Sequence, residues 1–219
     1  MSDEIGLLGG AGLPRVSLEE SAERPAAILD GGPSPLPALL AIRDKLLAAG
    51  ATLLAMPCNT AHAWHDELVR DCPVPFVSIV EASCDLLTGI AAPGSRIGLV
   101  ATRATLAARI FDTALEARGH AVLLPSEQEL VEAILPSIRQ VKEGRSARAG
   151  ALLAPAVQAL LDRGAAAVIL ACTETPMALD AVASPLRSRC VDSNRALARA
   201  CAARWFALPA NQPAAARSA

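Results

Sequence analysis

Aromatic side chains are scarce in this chain. There is no tyrosine, and the five rings among 219 residues are Phe76, Phe111, Phe206, Trp64 and Trp205. With almost no rings for bases to stack on, and 20 basic residues against 22 acidic ones, the composition argues against nucleic-acid binding as the main role. No stretch reaches the ~18 uncharged apolar residues that span a bilayer, so no membrane partner is expected. Met1-Ser2-Asp3-Glu4 is acidic where a secretory signal would be basic, which gives the cytoplasm as the expected location. Cys-x-x-Cys spacing is also absent, and six cysteines in a reducing compartment are not expected to form a disulfide framework. What the chain has in abundance is alanine, 47 residues, within a composition 53% hydrophobic and 19% charged. Such a chain buries a core, and it must do so by bringing small side chains close together.

Short β-prone runs alternate with longer helical patterns, the signature of an α/β protein with parallel sheets. Strands are expected at Ile5–Leu8, Arg15–Leu18, Leu53–Met56, Phe76–Ile79, Ile97–Val100 and Ala165–Leu170. A helix is expected over 34–50, where leucines 36, 39, 40, 46 and 47 keep helical spacing between prolines at the start and Gly50 at the stop. Others are expected over 59–69, from the Ser126/Glu129 capping box to Lys142, over 147–161, and over 192–206. The Pro- and Ala-rich residues from Leu208 are expected to be disordered.

The chain repeats itself. Leu46-Leu47-x-x-Gly50-Ala51 leads to Cys58 over the same spacing by which Leu160-Leu161-x-x-Gly164-Ala165 leads to Cys172, and each cysteine is followed by a polar pair, Asn59-Thr60 and Thr173-Glu174. Ile5-Gly6-Leu7-Leu8 likewise answers Ile97-Gly98-Leu99-Val100. Two homologous halves follow, but they are unequal: Ile5 to Cys58 is 53 positions and Ile97 to Cys172 is 75. The first half is 22 residues short, about one helix with its connections, and the strand at 15–18 has no amphipathic helix before it.

Each repeat cysteine is expected at the carboxyl end of a buried parallel strand, where the next helix begins. Open α/β sheets bind ligands there, helix amides stabilise anions, and a thiol can have a lowered pKa. Two thiols facing one cleft suit the inversion of a carbon bearing an acidic hydrogen, one removing the proton and the other returning it from the opposite face. Cys72, Cys84, Cys190 and Cys201 have no repeat partner and read as core fillers. Cys58 and His62, with Asp66 or Glu174, offer a metal reading, but without Cys-x-x-Cys or His-x-x-x-His spacing no metal is expected. His62 and His65 otherwise read as packing or helix-surface residues.

At these residues the sequence resembles the cofactor-independent aspartate/glutamate racemase family. The resemblance rests on Met56-Pro57-Cys58-Asn59-Thr60-Ala61-His62 and Ala171-Cys172-Thr173-Glu174, and takes in Ile5–Gly10, Gly31–Pro35 and Ile97–Thr102. It implies two similar α/β lobes, each a four-stranded parallel sheet flanked by helices, with the active-site cleft between them. The first lobe would hold 1–95 plus the returning segment 191–219, and would lack a helix; the second would hold 96–190. By motif match Cys58 and Cys172 are the catalytic pair, and no cofactor, pyridoxal phosphate included, is implied. Asn59, Thr60 and Thr173 would bind the α-carboxylate and amino group, with Glu174 beside the amino group. Arg24, in Glu23-Arg24-Pro25, and Lys142 would be the cations for a distal carboxylate. The implied partner is a small acidic amino acid, and the implied assembly a homodimer.

The resulting expectation is a racemase interconverting L- and D-aspartate or glutamate by a two-base thiolate/thiol mechanism. Two alternatives stay open. One is a related two-cysteine isomerase, such as a maleate isomerase or a hydantoin racemase. The other is a catalytically weakened dicarboxylate-binding homologue, its shortened first lobe having lost cleft wall.

Overall fold

The computed structural model describes residues 5–7, 16–18 and 23 as backbone, and residues 24–207 with their side chains. The Gly9-Gly10 start and the tail from Leu208 lie outside the described residues. In the first half, β1 (Ile5–Leu7) pairs antiparallel with β2 (Val16–Leu18). Then come α1 (Glu23–Leu29), α2 (Leu36–Ala48), β3 (Leu54–Ala55), a 3-10 turn (Thr60–Trp64) running into α3 (His65–Val69), β4 (Phe76–Val77) and α4 (Ile79–Asp85). Strands β3 and β4 pair in parallel, Leu54 beside Phe76.

The second half runs β5 (Arg96–Ala101), α5 (Arg103–Ala107), α6 (Asp112–Glu116), β6 (Ala121–Leu123) and α7 (Glu127–Glu129). A π turn, Leu130–Ile134, joins α7 to α8 (Leu135–Lys142), followed by α9 (Ser146–Asp162), β7 (Ala165–Ala171), α10 (Thr175–Ala181), β8 (Cys190–Asp192) and α11 (Ser193–Ala207). Its four strands are all parallel, in the order β6-β5-β7-β8.

The inequality of the halves has a backbone consequence. Residues 8–15 link β1 to β2, whereas residues 102–120 link β5 to β6 and carry α5 and α6. A parallel neighbour needs a crossover of a dozen or more residues, so the short link leaves β2 antiparallel to β1. The implied four-stranded parallel sheet is therefore corrected in the first half: among the described residues it has a two-stranded parallel sheet and a separate antiparallel pair.

Local sequence explains most boundaries. Pro35 and Pro37 open α2, and Gly50, at φ +87°, ends it. Ser126 and Glu129 form the expected reciprocal capping box. The π turn lies just before Pro136, which has no N–H for the helical ladder. Phe76–Ile79, expected as a strand, is one only to Val77. Ser78 accepts a hydrogen bond from the Glu81 N–H at 3.3 Å and starts α4, so the β-branched pair Ile79-Val80 is helical. Strands β6 and β8 and helices α1, α4, α5, α6 and α10 have no counterpart in the sequence expectation.

Close approach of small residues carries the packing. A Cβ on Gly98 of β5 would lie 3.0 Å from Val168 Cγ2 and 3.3 Å from Leu160, and one on Gly150 of α9 would strike the Ala178 carbonyl of α10. One core lies among α2, α3 and β3 around Leu39, Leu46, Leu54 and Leu68. A second lies under α8, α9 and α10. The third belongs to both halves: Ala55, Val77, Ile79 and Leu87 pack with Ile97, Leu99, Phe111, Ile169 and Leu197. Helix α11 packs against α4 and along β4, β7 and β8, which brings it back to the first half.

Candidate active site

The carboxyl ends of β3, β5 and β7, with the start of α11, bring the polar residues together. Beyond β3 the chain turns at Pro57 and Cys58. Cys58 is half-buried against the first core. His62, buried four residues later, donates from Nδ1 to the Cys58 carbonyl at 2.8 Å and accepts at Nε2 from the Ile79 N–H at 3.1 Å. These partners fix the neutral Nδ1–H tautomer, because a backbone carbonyl only accepts and a backbone N–H only donates. Burial, the largest cause, and the nearby His65 lower its pKa from 6.5 to about 3, against the opposing Cys58 bond. With both nitrogens committed, His62 cannot also ligate a metal, which sets aside the metal reading with Cys58. The same residue ties the cysteine turn to the first N–H of α4.

Asn59 and Thr60 reach across to the second half. The Asn59 Nδ2 donates to Ser193 Oγ at 3.1 Å, and Ser193 Oγ donates to the Leu170 carbonyl of β7 at 2.9 Å. Thr60 Oγ1 lies 2.7 Å from Thr105 Oγ1 and 3.4 Å from Thr102 Oγ1, which are 3.0 Å from each other. Thr102 also caps α5, accepting from the Thr105 N–H. Arg24 lies on α1, buried to 4% exposure, and α1 packs on α5 and on the 3-10 turn after Cys58.

Beyond β7, Cys172 is buried, and its thiol donates to Glu174 Oε2 at 3.0 Å. The Thr173 hydroxyl donates to the same oxygen at 2.8 Å. Lys142, at the end of α8, places Nζ 4.0 Å from Glu174 Oε1. Thr175 holds the turn, its hydroxyl donating to the Cys172 carbonyl at 2.9 Å. The thiol pKa is raised well above its ordinary value, first by burial and then by the charge and hydrogen bond of Glu174. This corrects the expectation of a lowered pKa at this cysteine. The helix amides count for less here than a carboxylate in contact with a buried sulfur.

The structure thus gathers Cys172, Thr173, Glu174 and Lys142 into one cluster, and draws Asn59 and Thr60 onto Ser193, Thr102 and Thr105. Those last three were not singled out in the sequence. Thr102 ends a segment of the resemblance, so a hydroxyl after β5 had a signal; Ser193 had none.

A family model described as Asp/Glu/Hydantoin racemase matches residues 11–201. The broad specificity amino-acid racemase RacX of Bacillus subtilis is 26% identical over 164 residues, 74% of this chain and 69% of its own. A glutamate racemase of Acidothermus cellulolyticus is 30% identical over 152 residues, 66% of this chain and 53% of its own, so the chain spans about half that protein's length. Among solved structures, the Picrophilus torridus aspartate racemase superposes with a TM-score of 0.71 at 23% identity, covering 90% of this chain and 83% of its own, which shows a shared fold.

Proposed function

The chain belongs to the Asp/Glu/hydantoin racemase family and is an isomerase of the racemase kind, and from that premise we propose that it interconverts the enantiomers of a small acidic amino acid, aspartate or glutamate, with Cys58 and Cys172 as the two proton-transfer groups. The observation that carries this reading is the cluster around Cys172. A buried thiol that donates to Glu174 and has a raised pKa is protonated in the resting enzyme, as a group waiting to give a proton must be.

In one direction Cys58, as thiolate, takes the proton from Cα and becomes a thiol. The electron pair left on Cα delocalises into the α-carboxylate, and Cys172 delivers its proton to the opposite face, becoming a thiolate. The reverse reaction exchanges the roles, with no net gain or loss of protons. Glu174, in contact with the Cys172 sulfur, holds the thiol proton in place until it is delivered to Cα. Thr60, and Thr173 on turning its hydroxyl from Glu174, supply hydroxyls for the α-carboxylate, whose developing charge such donors stabilise. Arg24 and Lys142 are the cations for the distal carboxylate, and they favour a diacid over an uncharged hydantoin.

The test is incubation of each enantiomer of aspartate and glutamate in D2O with no added cofactor. Wild type should exchange the Cα hydrogen for deuterium as the other enantiomer appears, while Cys58→Ser and Cys172→Ser should each lose racemisation by orders of magnitude. Exchange no faster than that of a variant carrying both Cys58→Ser and Cys172→Ser would overturn the reading. Full activity after loss of one cysteine would point instead to one-cysteine chemistry such as decarboxylation.

A further inference from the structure

We infer that Ser193 is a positioning residue that locks the Asn59 amide, so that its carbonyl oxygen rather than its nitrogen is offered to the substrate's ammonium group. This rests on the amino-acid racemase reading and sharpens it. Asn59 alone could serve a carboxylate through Nδ2 or an ammonium through Oδ1, and Ser193 decides between them.

Hydrogen-bond polarity sets which arm of the amide faces Ser193. Ser193 is the first residue of α11 and is fully buried. Its hydroxyl has one proton, and the Leu170 carbonyl 2.9 Å away, which can only accept, takes it. Toward Asn59 the Ser193 oxygen is therefore an acceptor, and the arm of the amide 3.1 Å away must be the NH2. A flipped amide would set oxygen against oxygen. The other arm, Oδ1, is buried and has no hydrogen-bond partner among the described residues. Leaving a buried carbonyl unsatisfied destabilises the unliganded protein. A ligand donor would remove that cost. Asn59 directly follows Cys58, so this acceptor belongs to the turn that carries a proton-transfer group. An ammonium only donates and a carboxylate only accepts, so a fixed Oδ1 welcomes the first and repels the second.

The chain has three asparagines, Asn59, Asn194 and Asn211, so selective Asn labelling leaves three side-chain carbonyl and amide signals to follow by NMR. In wild type the Asn59 carbonyl signal should move on adding L-aspartate and stay in place with succinate, the same diacid without the ammonium. Calorimetry of Ser193→Ala should show aspartate binding weakened tenfold or more and succinate binding changed less than twofold. A carbonyl signal that responds equally to both ligands, or equal losses for both in Ser193→Ala, overturns the inference. If the wild-type protein binds neither of these, nor L-glutamate and glutarate, the racemase reading has failed, and the lock is then decided on the amide alone. Asn59 NH2 protons that exchange slowly in wild type and quickly in Ser193→Ala support it, and equally fast exchange in both overturns it. Because the carbonyl measurement needs only wild type, a Ser193→Ala protein that does not fold leaves that test intact.

Discussion

At Cys172 burial and an adjacent carboxylate act on one sulfur in the same direction, both opposing ionisation. In Glu174→Gln the charge goes while the burial stays, so the thiol pKa should fall but remain above that of a free cysteine. Peptide-resolved alkylation against pH should show Cys172 in the variant reacting from a lower pH than in wild type. An unmoved profile would mean that Glu174 does not set the pKa of this thiol. The two cysteines and the Lys142 partner of Glu174 were legible because repeat spacing and motif order survive in a bare sequence. The direction of the Cys172 shift was not. It depends on a side chain two residues away folding back onto the sulfur, which the strand-then-helix pattern leaves undetermined. Ser193 was hidden for a related reason: its function comes from Leu170 and Asn59, neither of them a sequence neighbour.

Between elements, His62 is the joint of the first half, holding the turn after β3 to the first N–H of α4. Folded, it stays neutral down to pH about 3; unfolded, it takes a proton near pH 6.5. The unfolded chain therefore binds the extra proton between those values. The stability contributed by His62 is whole above pH 6.5 and is lost as the pH falls toward 3, by up to about 1.4 kcal/mol per pH unit. His62→Gln should be less stable than wild type at pH 7, with the gap narrowing on acidification to pH 4, as measured by urea unfolding. A constant gap would contradict a buried neutral imidazole. The periodic elements, α2, α8, α9, α11, β5 and β7, could be read from spacing and caps alone. The three-residue strands β6 and β8 could not, since their pairing with β5 and β7 is a tertiary fact. Helix α1 escaped because its seven residues contain Pro25 and a contiguous apolar run, Ala26 to Leu29, that shows no helical spacing.

Across the whole molecule, the two halves share one apolar core and are stitched by the Thr60–Thr105 contact. An interface of that character resists independent motion of the halves. Trp fluorescence and far-UV circular dichroism should follow a single urea transition with coincident midpoints. Thr105→Val should keep it single while lowering stability by roughly 1 kcal/mol, the worth of one hydroxyl bond. Separate transitions for the two probes would show that the halves fold apart. The bond from Asn59 to Ser193 joins residues 134 positions apart. At a synthesis rate of about 5–20 residues per second, the ribosome makes Ser193 on the order of ten seconds after Asn59. For that interval the loop bearing Cys58 exists without the group that orients its neighbour, so the cysteine turn of the first half is made early and finished late.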